Sequence, residues 1–560
     1  MNKQTKLNPP SAMRQIVKNT SCSLAIAAAS FAFNASVSTT SHSHDQRSGG
    51  DDRSSATVWT SASSFGSGGS DTGATFKVDR EGNRYLTGAF SATAYFPQNT
   101  AQTSSARKAL TSRGGTDIFV AKYDRTGKLK WLNQASGPAD DKGFDIAFDA
   151  AGNAYVTGVT FDNALFRGAN HTDQTVTAVG QSIFIAKYAS SGELSWVQIG
   201  TNPYGSINEG YGIAVEPIAG SVYVTGICER ETMFSSADGS THTIAGPPPW
   251  HMCVAKYDVA GNFQWSQSNA ASGNSKAHKV AVDADDNAYV TGWMEGQTTF
   301  YSNDGQDLTV YGFSGPGGFP YPGDAFVVKY DENGNAEWVN HIGGYKATGT
   351  DIATSRDGKV SVTGYVGNIG NSAPEQAVTI VTSQPGGSSI NLGGGKFTEP
   401  YNPDAFVATW DDDGVLLSAQ RFGGMKNEGG LGIAYDRRGN LILEGVFQDS
   451  IKIGGRTLTG TSAVNLFIAK FGRDERMCRS GDMNDSGALT WIKGANGPFI
   501  ANVEEGPRIG LTAQGDVLVT GAYQPTAQFG SFRLQSTGAE DGFFSLLNTP
   551  EDEKRRRHDN

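Results

Sequence analysis

Cysteine is scarce in this chain, and so is charge of either sign. Four cysteines in 560 residues make neither a disulfide scaffold nor a zinc pattern: Cys22 lies in the N-terminal leader, Cys228 and Cys253 share one repeat, and Cys478 stands alone. Only 18% of residues are charged, whereas glycine occurs 72 times. That balance suits an all-β chain with many tight turns rather than a helical one. Basic residues are outnumbered, giving a net charge of −11; residues 1–38 carry Lys3, Lys6, Arg14 and Lys18 and no acid, so their removal takes −11 to −15. A general nucleic-acid binder needs a basic footprint, so nucleic acid is not expected as a partner. Long apolar runs are missing too. The mostly apolar stretch SLAIAAASFAFNASV at 23–37 is too short and broken to span a membrane. Behind basic residues and ahead of small ones near Ser38, it reads as an export signal. The expected organisation is a signal at 1–38, a linker at 39–54, a folded body at 55–548 and a charged tail at 549–560. The expected product is an exported monomer, periplasmic, surface-attached or secreted, with no transmembrane segment once the signal is gone.

What the chain does have is internal repetition. One segment recurs seven times: DREGNRYLTG (79–88), DAAGNAYVTG (149–158), PIAGSVYVTG (217–226), DADDNAYVTG (283–292), SRDGKVSVTG (355–364), DRRGNLILEG (436–445) and TAQGDVLVTG (512–521). Its last glycines, Gly88, Gly158, Gly226, Gly292, Gly364, Gly445 and Gly521, are spaced by 70, 68, 66, 72, 81 and 76 residues. A second segment also recurs seven times, from DIFVAKYD (117–124) to DGFFSLLN (541–548). A third centres on Trp131, Trp196, Trp265, Trp338 and Trp491, with Ser418 in the fifth place; a fourth precedes the first, as in GFDIAFDA (143–150). These β-branched and aromatic runs, bounded by Gly, Asp and Asn, read as strands. Short D-x-x-G-N connections make sequential strands antiparallel neighbours. Four strands, A to D, in each of seven units of about 70 residues predict a seven-bladed β-propeller.

The ends sharpen this. The last repeat stops at Asn548 without a D strand, and the first strand, SATVWTSASS (55–64), has no repeat before it. The strand around Trp59 is therefore expected to complete the last blade. The recurring Trp, and the Phe eight residues after the B-strand glycine (Phe96, Phe166, Phe234, Phe300, Phe529), are expected to pack between blades. The recurring Lys of the C strand (Lys122, Lys187, Lys256, Lys329, Lys470) is expected to pair with acids such as Asp117 and Asp324.

The pattern D-x-x-G-N-x-Y-V-T-G, a Phe, then D-A-F-V-x-K-Y-D-x-x-G-x-x-x-W resembles the bacterial SBBP repeat, a seven-bladed β-propeller repeat family, best at 141–200 and 277–344 and over most of 55–548. The resemblance implies an exported bacterial propeller in a binding or adhesive role. It implies no reaction, because the shared residues are scaffold.

Function is then expected in what does not repeat: the B–C connections (89–116, 159–181, 227–250, 293–323, 365–403, 446–464, 522–540), read as loops on the same face as the D–A connections. Trp250, Tyr311, Phe313, Phe319 and Tyr321 in them suit stacking on a carbohydrate, and a polysaccharide or a surface protein is the expected partner. The alternative is a secreted polysaccharide lyase using His171, His242 and His251 with Tyr211 and Arg230, Tyr204 being a further local candidate. No cofactor is expected beyond a calcium candidate, because Asp482, Asn484 and Ser486 alternate before Gly487 as at the start of a calcium loop, although Lys493 stands where the last acid belongs. Cys228 and Cys253 lie on neighbouring strands and are candidates for a disulfide in an oxidising compartment.

Overall fold

The computed structural model describes residues 57–549 apart from 101–105, 247–249, 313–322, 344, 368–378, 383–389, 392–402, 425, 474–488 and 502–505. The leader, the linker and residues 550–560 of the charged tail lie outside the described residues. Blade 1 is built from strands A to D at Thr72–Val78, Arg84–Phe90, Asp117–Tyr123 and Leu129–Ser136. Blade 2 follows at Lys142–Phe148, Ala154–Phe161, Gln181–Tyr188 and Leu194–Thr201, and blade 3 at Glu209–Val215, Val222–Cys228, His251–Tyr257 and Phe263–Ala271. Blade 4 occupies Ser275–Val282, Ala288–Glu295, Gly323–Tyr330 and Ala336–Gly343. Blade 5 takes Tyr345–Thr354, Val360–Gly367, Asp404–Trp410 and Leu416–Phe422, and blade 6 takes Glu428–Tyr435, Leu441–Phe447, Asn465–Phe471 and Leu489–Asn496. Blade 7 has Arg508–Leu511, Val517–Tyr523 and Asp541–Asn548, and its D strand is Val58–Phe65, which pairs antiparallel with Asp541–Asn548 from Val58↔Asn548 to Phe65↔Gly542. Each A strand packs against the A strands of both neighbouring blades, 7 against 1 included, so the seven blades close a ring.

The repeated glycine has a steric cause. A Cβ on Gly158 would lie 1.9 Å from the Lys142 carbonyl oxygen and 2.8 Å from the Phe184 ring. The Thr before it ties strand B to strand C: Thr87, Thr157, Thr225, Thr291, Thr363 and Thr520 each donate through Oγ1 to a C-strand carbonyl at 2.7–2.8 Å. Blade 6 departs from this pattern, with Glu444 in the Thr position.

Blades are joined at the end of the ring that carries the A–B and C–D turns. The Trp131, Trp196, Trp265 and Trp338 indoles donate to the carbonyls of Ser190, Val259, Glu332 and Asp412, in the C–D turn of the next blade, at 2.9–3.3 Å. The same four carbonyls accept from Lys122, Lys187, Lys256 and Lys329, whose ammonium groups also lie 4.8–5.7 Å from the centroids of Tyr85, Tyr155, Tyr223 and Tyr289. Each indole covers the turn glycine: a Cβ on Gly192 (φ +91) would meet Trp131 at 2.7 Å. A side chain there would both strain the backbone and displace the ring.

Two expectations are corrected here. Three of the lysines do pair with acids, Lys256 with Asp286, Lys329 with Glu337 and Lys470 with Asp436 at 2.6–3.0 Å, but none pairs with Asp117 or Asp324, which sit at the far end of the same strands; Asp117 accepts from the Gln134 side chain and the Arg113 amide, and Asp324 pairs with His341 at 2.9 Å. Five residues of extended strand, about 16 Å, separate Asp117 from Lys122. Trp59 also lies outside the Trp register: it faces Leu547, and Ser61 takes the Trp place opposite Leu546. The Trp59 indole donates instead to Gly494 of blade 6 and packs edge-on to Phe529. At the junction of blades 7 and 1 the turn carbonyl, that of Arg125, accepts from the Arg84 guanidinium at 3.4 Å.

The B–C connections are not loops over a face. In the blades where it is described, each forms a two-stranded hairpin along the outer edge of the preceding blade. Ala164–Phe166 of blade 2 pairs with strand D of blade 1, and the same step recurs with Glu231–Ser235, Gln297–Phe300, Thr379–Thr382 and Thr526–Phe529; blades 1 and 6 make a single bridge each, Gly66↔Tyr95 and Gly423↔Lys452. Strand D would otherwise expose a row of unpaired amides and carbonyls. The repeated Phe is the inward residue of this hairpin. Phe96, Phe166, Phe234, Phe300 and Phe529 are buried, and Phe166 packs on Phe184 and Phe300 on Phe326 with centroids 5.1 Å apart. Burial of each ring stabilises by roughly 2–3 kcal/mol.

Candidate functional site

Six A strands carry a β-bulge after their glycine (alanine in blade 4), which sets one residue per blade out of the ladder on this innermost strand: Ala74, Phe144, Tyr211, His278, Thr350 and Leu431. In blades 2, 3 and 4 these are three rings in a row. Tyr211 stacks on Phe144 (centroids 5.1 Å) and meets His278 edge-on (6.3 Å), with the Lys276 ammonium 3.6 Å from its centroid. The Tyr211 hydroxyl donates to the Glu209 carboxylate, which also accepts from Gln181 at 3.0 Å. Trp250, half-buried, packs against the same cluster together with Val159 and Ile227.

The cluster extends outward on the D–A face. Trp250 immediately precedes strand C of blade 3, which is clipped to strand B by a Cys228–Cys253 disulfide (Cα–Cα 5.8 Å). In the connection 272–274 between blades 3 and 4, Ser272 donates to the carbonyl of Gln297, whose strand partner is Tyr311, and Ser275 just after it donates to the carbonyl of Trp250. Tyr311 is 71% exposed. Beside it Glu295 accepts from Asn274, and burial raises its pKa. Trp250 and Tyr311 thus stand on the D–A face, around backbone held by a disulfide.

The histidine constellation is not assembled. His171 is exposed on the blade 2 hairpin, at the outer edge of blade 1. His242 lies on the blade 3 hairpin, at the outer edge of blade 2, stacked flat on Phe263 with centroids 4.3 Å apart. His251 is buried where strand C begins, against Gly246 at the opposite end of that hairpin. Arg230 and Tyr204 are exposed in separate connections. The sequence reading placed these residues together because it took the hairpins for loops on one face. Phe313, Phe319 and Tyr321, and Asp482, Asn484 and Ser486, lie outside the described residues. Among the described residues no group of three or more His, Cys, Asp or Glu is arranged to hold a metal. Asp283, Asp285 and Asn287 of the blade 4 A–B turn also alternate, but Asp283 is occupied by that turn, accepting from the Asp285 amide, Asn287 and the Tyr289 hydroxyl.

Sequence reasoning missed a set of charges at the axis. The residue after the bulge differs from blade to blade: Thr75, Asp145, Gly212, Lys279, Asp351 and Gly432, with Arg508 at the matching register in blade 7. Asp145 and Asp351 each accept from an amide of the next blade, Ile213 at 3.1 Å and Ile433 at 2.9 Å. Lys279 bonds Asp145 at 2.9 Å, both groups buried. Burial lowers the Lys279 pKa; burial acts to raise that of Asp145, but the ammonium outweighs it and the carboxyl is held below its ordinary value. Burial pushes Glu444 well above the ordinary carboxyl range, with Arg508 acting the other way. Aligning the repeats on the A-strand glycine would have exposed this position.

No family model matches the chain. It is similar to an uncharacterized WD repeat-containing protein of Acanthamoeba polyphaga mimivirus, 24% identical over 437 residues; the match covers 65% of this chain and 29% of that protein. Among solved structures it is similar to a streptogramin B lyase (12% identity, TM-score 0.32, covering 87% of this chain and 97% of that one) and to Sqt1 from Chaetomium thermophilum (11%, 0.31, 88% and 100%). Neither likeness bears on what this chain binds. Among the described residues no helix is long and apolar enough to cross a membrane.

Proposed function

We propose that this chain is an exported, non-catalytic binding propeller of the SBBP-repeat kind that holds a carbohydrate on the D–A face of blades 3 and 4. One observation carries the reading: half-buried Trp250 and exposed Tyr311 stand on the D–A face, Trp250 seated on a buried cluster in which Tyr211 is held by Glu209 and Lys276. Aromatic faces beside fixed hydrogen-bonding groups match the apolar and polar sides of a sugar ring. The disulfide supports an oxidising compartment, as does the basic, then apolar leader. A panel of neutral and acidic polysaccharides, scored for binding and for unsaturated product, tests this. Binding without product is expected, weakened about tenfold by Trp250→Ala and less by Tyr311→Ala, which corresponds to roughly 1.4 kcal/mol of lost stacking. Release of unsaturated product would overturn the non-catalytic reading. Silence across the panel would move the proposal to a protein ligand.

A further inference from the structure

The opposite face carries a different kind of site. Between the A–B turns of blades 5 and 6 lies a cavity of about 380 Å³, lined by Arg356, Asp357, Tyr435, Arg437, Arg438 and Arg473, among others. The turn positions that supply these cations are variable in the repeat. In the other blades the same stretch reads Arg80-Glu81, Ala150-Ala151, Ile218-Ala219, Ala284-Asp285 and Ala513-Gln514. Four arginines in one cleft therefore stand out in a chain whose net charge is −11.

The carboxylates nearby are already engaged. Asp436 accepts from the Arg438 and Asn440 amides and the Asn440 side chain, and it pairs with Lys470 at 3.0 Å. Asp357 lies 3.5 Å from Lys359 and 3.6 Å from Arg473. Arg356 and Arg437 form no ion pair among the described residues. The lining is fixed from below. The Tyr435 hydroxyl bonds Ser361 at 2.6 Å across the blade junction, and a Cβ on Gly439 would sit 3.3 Å from the Arg473 stem. The acidic turn 411–413 stands on the far side of Gly358, where a Cβ would lie 3.8 Å from Asp412.

We propose that this cleft binds a small ligand bearing a phosphate or sulfate group. Guanidinium forks match tetrahedral oxyanions bidentately, and a cavity at the lower end of the ligand-pocket range takes a molecule of sugar-phosphate size. A nucleic-acid strand fits less well. Its phosphates need a basic stripe, and the rest of this surface repels them. The site is on the other face from the proposed carbohydrate rim and does not depend on it.

Calorimetry on the full chain in low-salt buffer, free of phosphate and sulfate, tests the proposal with inorganic phosphate, inorganic sulfate, glucose 6-phosphate and glucose. Glucose 6-phosphate is expected to bind and glucose to give no heat. Affinity should fall with added salt, because the arginines are exposed. Arg356→Ala/Arg437→Ala should weaken binding about tenfold or more. Arg80→Ala/Arg125→Ala, at the matching turns of blade 1, should leave it unchanged. Inorganic phosphate binding as tightly as the ester assigns the site to a free anion, and a tighter ester assigns it to a phosphorylated ligand; both support the oxyanion site. Silence with every anion, indifference to the double variant, or tighter binding of a short single-stranded oligonucleotide than of the phosphate ester would overturn it.

Discussion

The two faces of the ring are made by the same strands and differ in how they join the blades. On the turn face, the A–B connections are five or six residues long and the C–D connections of blades 1 to 5 are five, with blade 6 the exception at 472–488, so in those blades the partner of each side chain in the next blade is fixed. The same solution then recurs at four junctions: an indole and an ammonium share one turn carbonyl, and the indole covers a glycine. On the D–A face the connections run from a single residue, between Gly343 and Tyr345, to eleven, 497–507. No register is imposed there, and the junctions are solved separately, by buried acids between blades 5 and 6 and by aromatic packing between blades 2 and 3. Repetition in the sequence marks geometry that is fixed; its absence marks where individual chemistry has room.

Breaking the repeated lock should have the largest effect. Trp338 is 3% exposed and its indole donates to Asp412 of the next blade at 2.9 Å. Trp338→Ala removes that ring and leaves a cavity over Gly414, a loss of about 3 kcal/mol or more. Trp491 occupies the same register in blade 6 but is only half-buried. Trp491→Ala should cost less than half as much. Thermal or denaturant unfolding of both variants measures the difference, and equal losses would mean that the lock is not what the Trp register encodes.

A smaller, more specific effect is expected at the axis, between the faces. In blades 2 and 5 the A strand supplies an Asp and the B strand a Thr; in blade 6 the A strand has Gly432 and the B strand Glu444. A Cβ on Gly432 would lie 2.9 Å from Glu444 Oε2 and 3.4 Å from the Ile509 amide nitrogen. That amide matches those of Ile213 and Ile433, which donate to Asp145 and Asp351. Glu444 thus fills from strand B the space that an Asp fills elsewhere from strand A. Gly432→Asp alone crowds two acids into one buried space and should cost about 2 kcal/mol. Adding Glu444→Thr recreates the blade 2 arrangement and should recover most of it. A double-mutant cycle with coupling below about 0.5 kcal/mol would reject the exchange.

Much of the fold was legible before any coordinates. Tight turns punctuate a period near 70 residues, so the strands, the blade count and the closing strand could be placed by number. The register of Trp59 could not: every D strand carries the same bulge, but here the Trp holds the place before it, which Leu129 and Leu194 hold in blades 1 and 2, and Ser61 holds the Trp place. The hairpins were misread as loops because their pairing partner belongs to another blade. The alternation around Phe96 and Phe166 was a signal of strand, but it was read only as packing. The D–A rim was half legible: Trp250 and the two cysteines were singled out, whereas Lys276, Glu209 and the axial charges sit at repeat positions that look like scaffold until the blades are superimposed. The arginine cleft escaped notice because DRRGN passes for one more turn.

The faces should also respond oppositely to pH, with the smallest amplitude of these effects. On the D–A side of the junction between blades 5 and 6, Asp404 and Glu428 are buried together, with Arg421 Nε 3.2 Å from Asp404. Burial raises Asp404 to about 7 against the pull of Arg421, and burial with the Asp404 charge raises Glu428 to about 9. Burial likewise lifts Asp71 and Asp141, at two other junctions of that face, to about 6. A carboxyl whose folded pKa exceeds its unfolded value near 4 binds its proton more tightly when folded. Its contribution is complete below pH 4 and is lost as pH rises through 6 to 9. On the turn face, hydrogen bonding to Ser355 lowers Asp357, and hydrogen bonds from Asn440 and Lys470 outweigh the burial of Asp436 and lower it too. Their contribution is present above pH 4 and is lost only on acidification. Between pH 6 and pH 9.5 the raised carboxyls of the D–A face lose their protons, so the Tm should fall across that window by about 1–3 °C. Glu428→Gln keeps the shape of the neutral acid and removes its titration, so the variant should lose the part of the fall above pH 7.5 while matching the wild type at pH 6. A wild-type Tm that is level or rising from pH 6 to 9.5 would mean that these acids are not held neutral by the junction. A fall unchanged in Glu428→Gln would place the titrating groups on another junction of the same face, with Asp71 and Asp141 the next to vary.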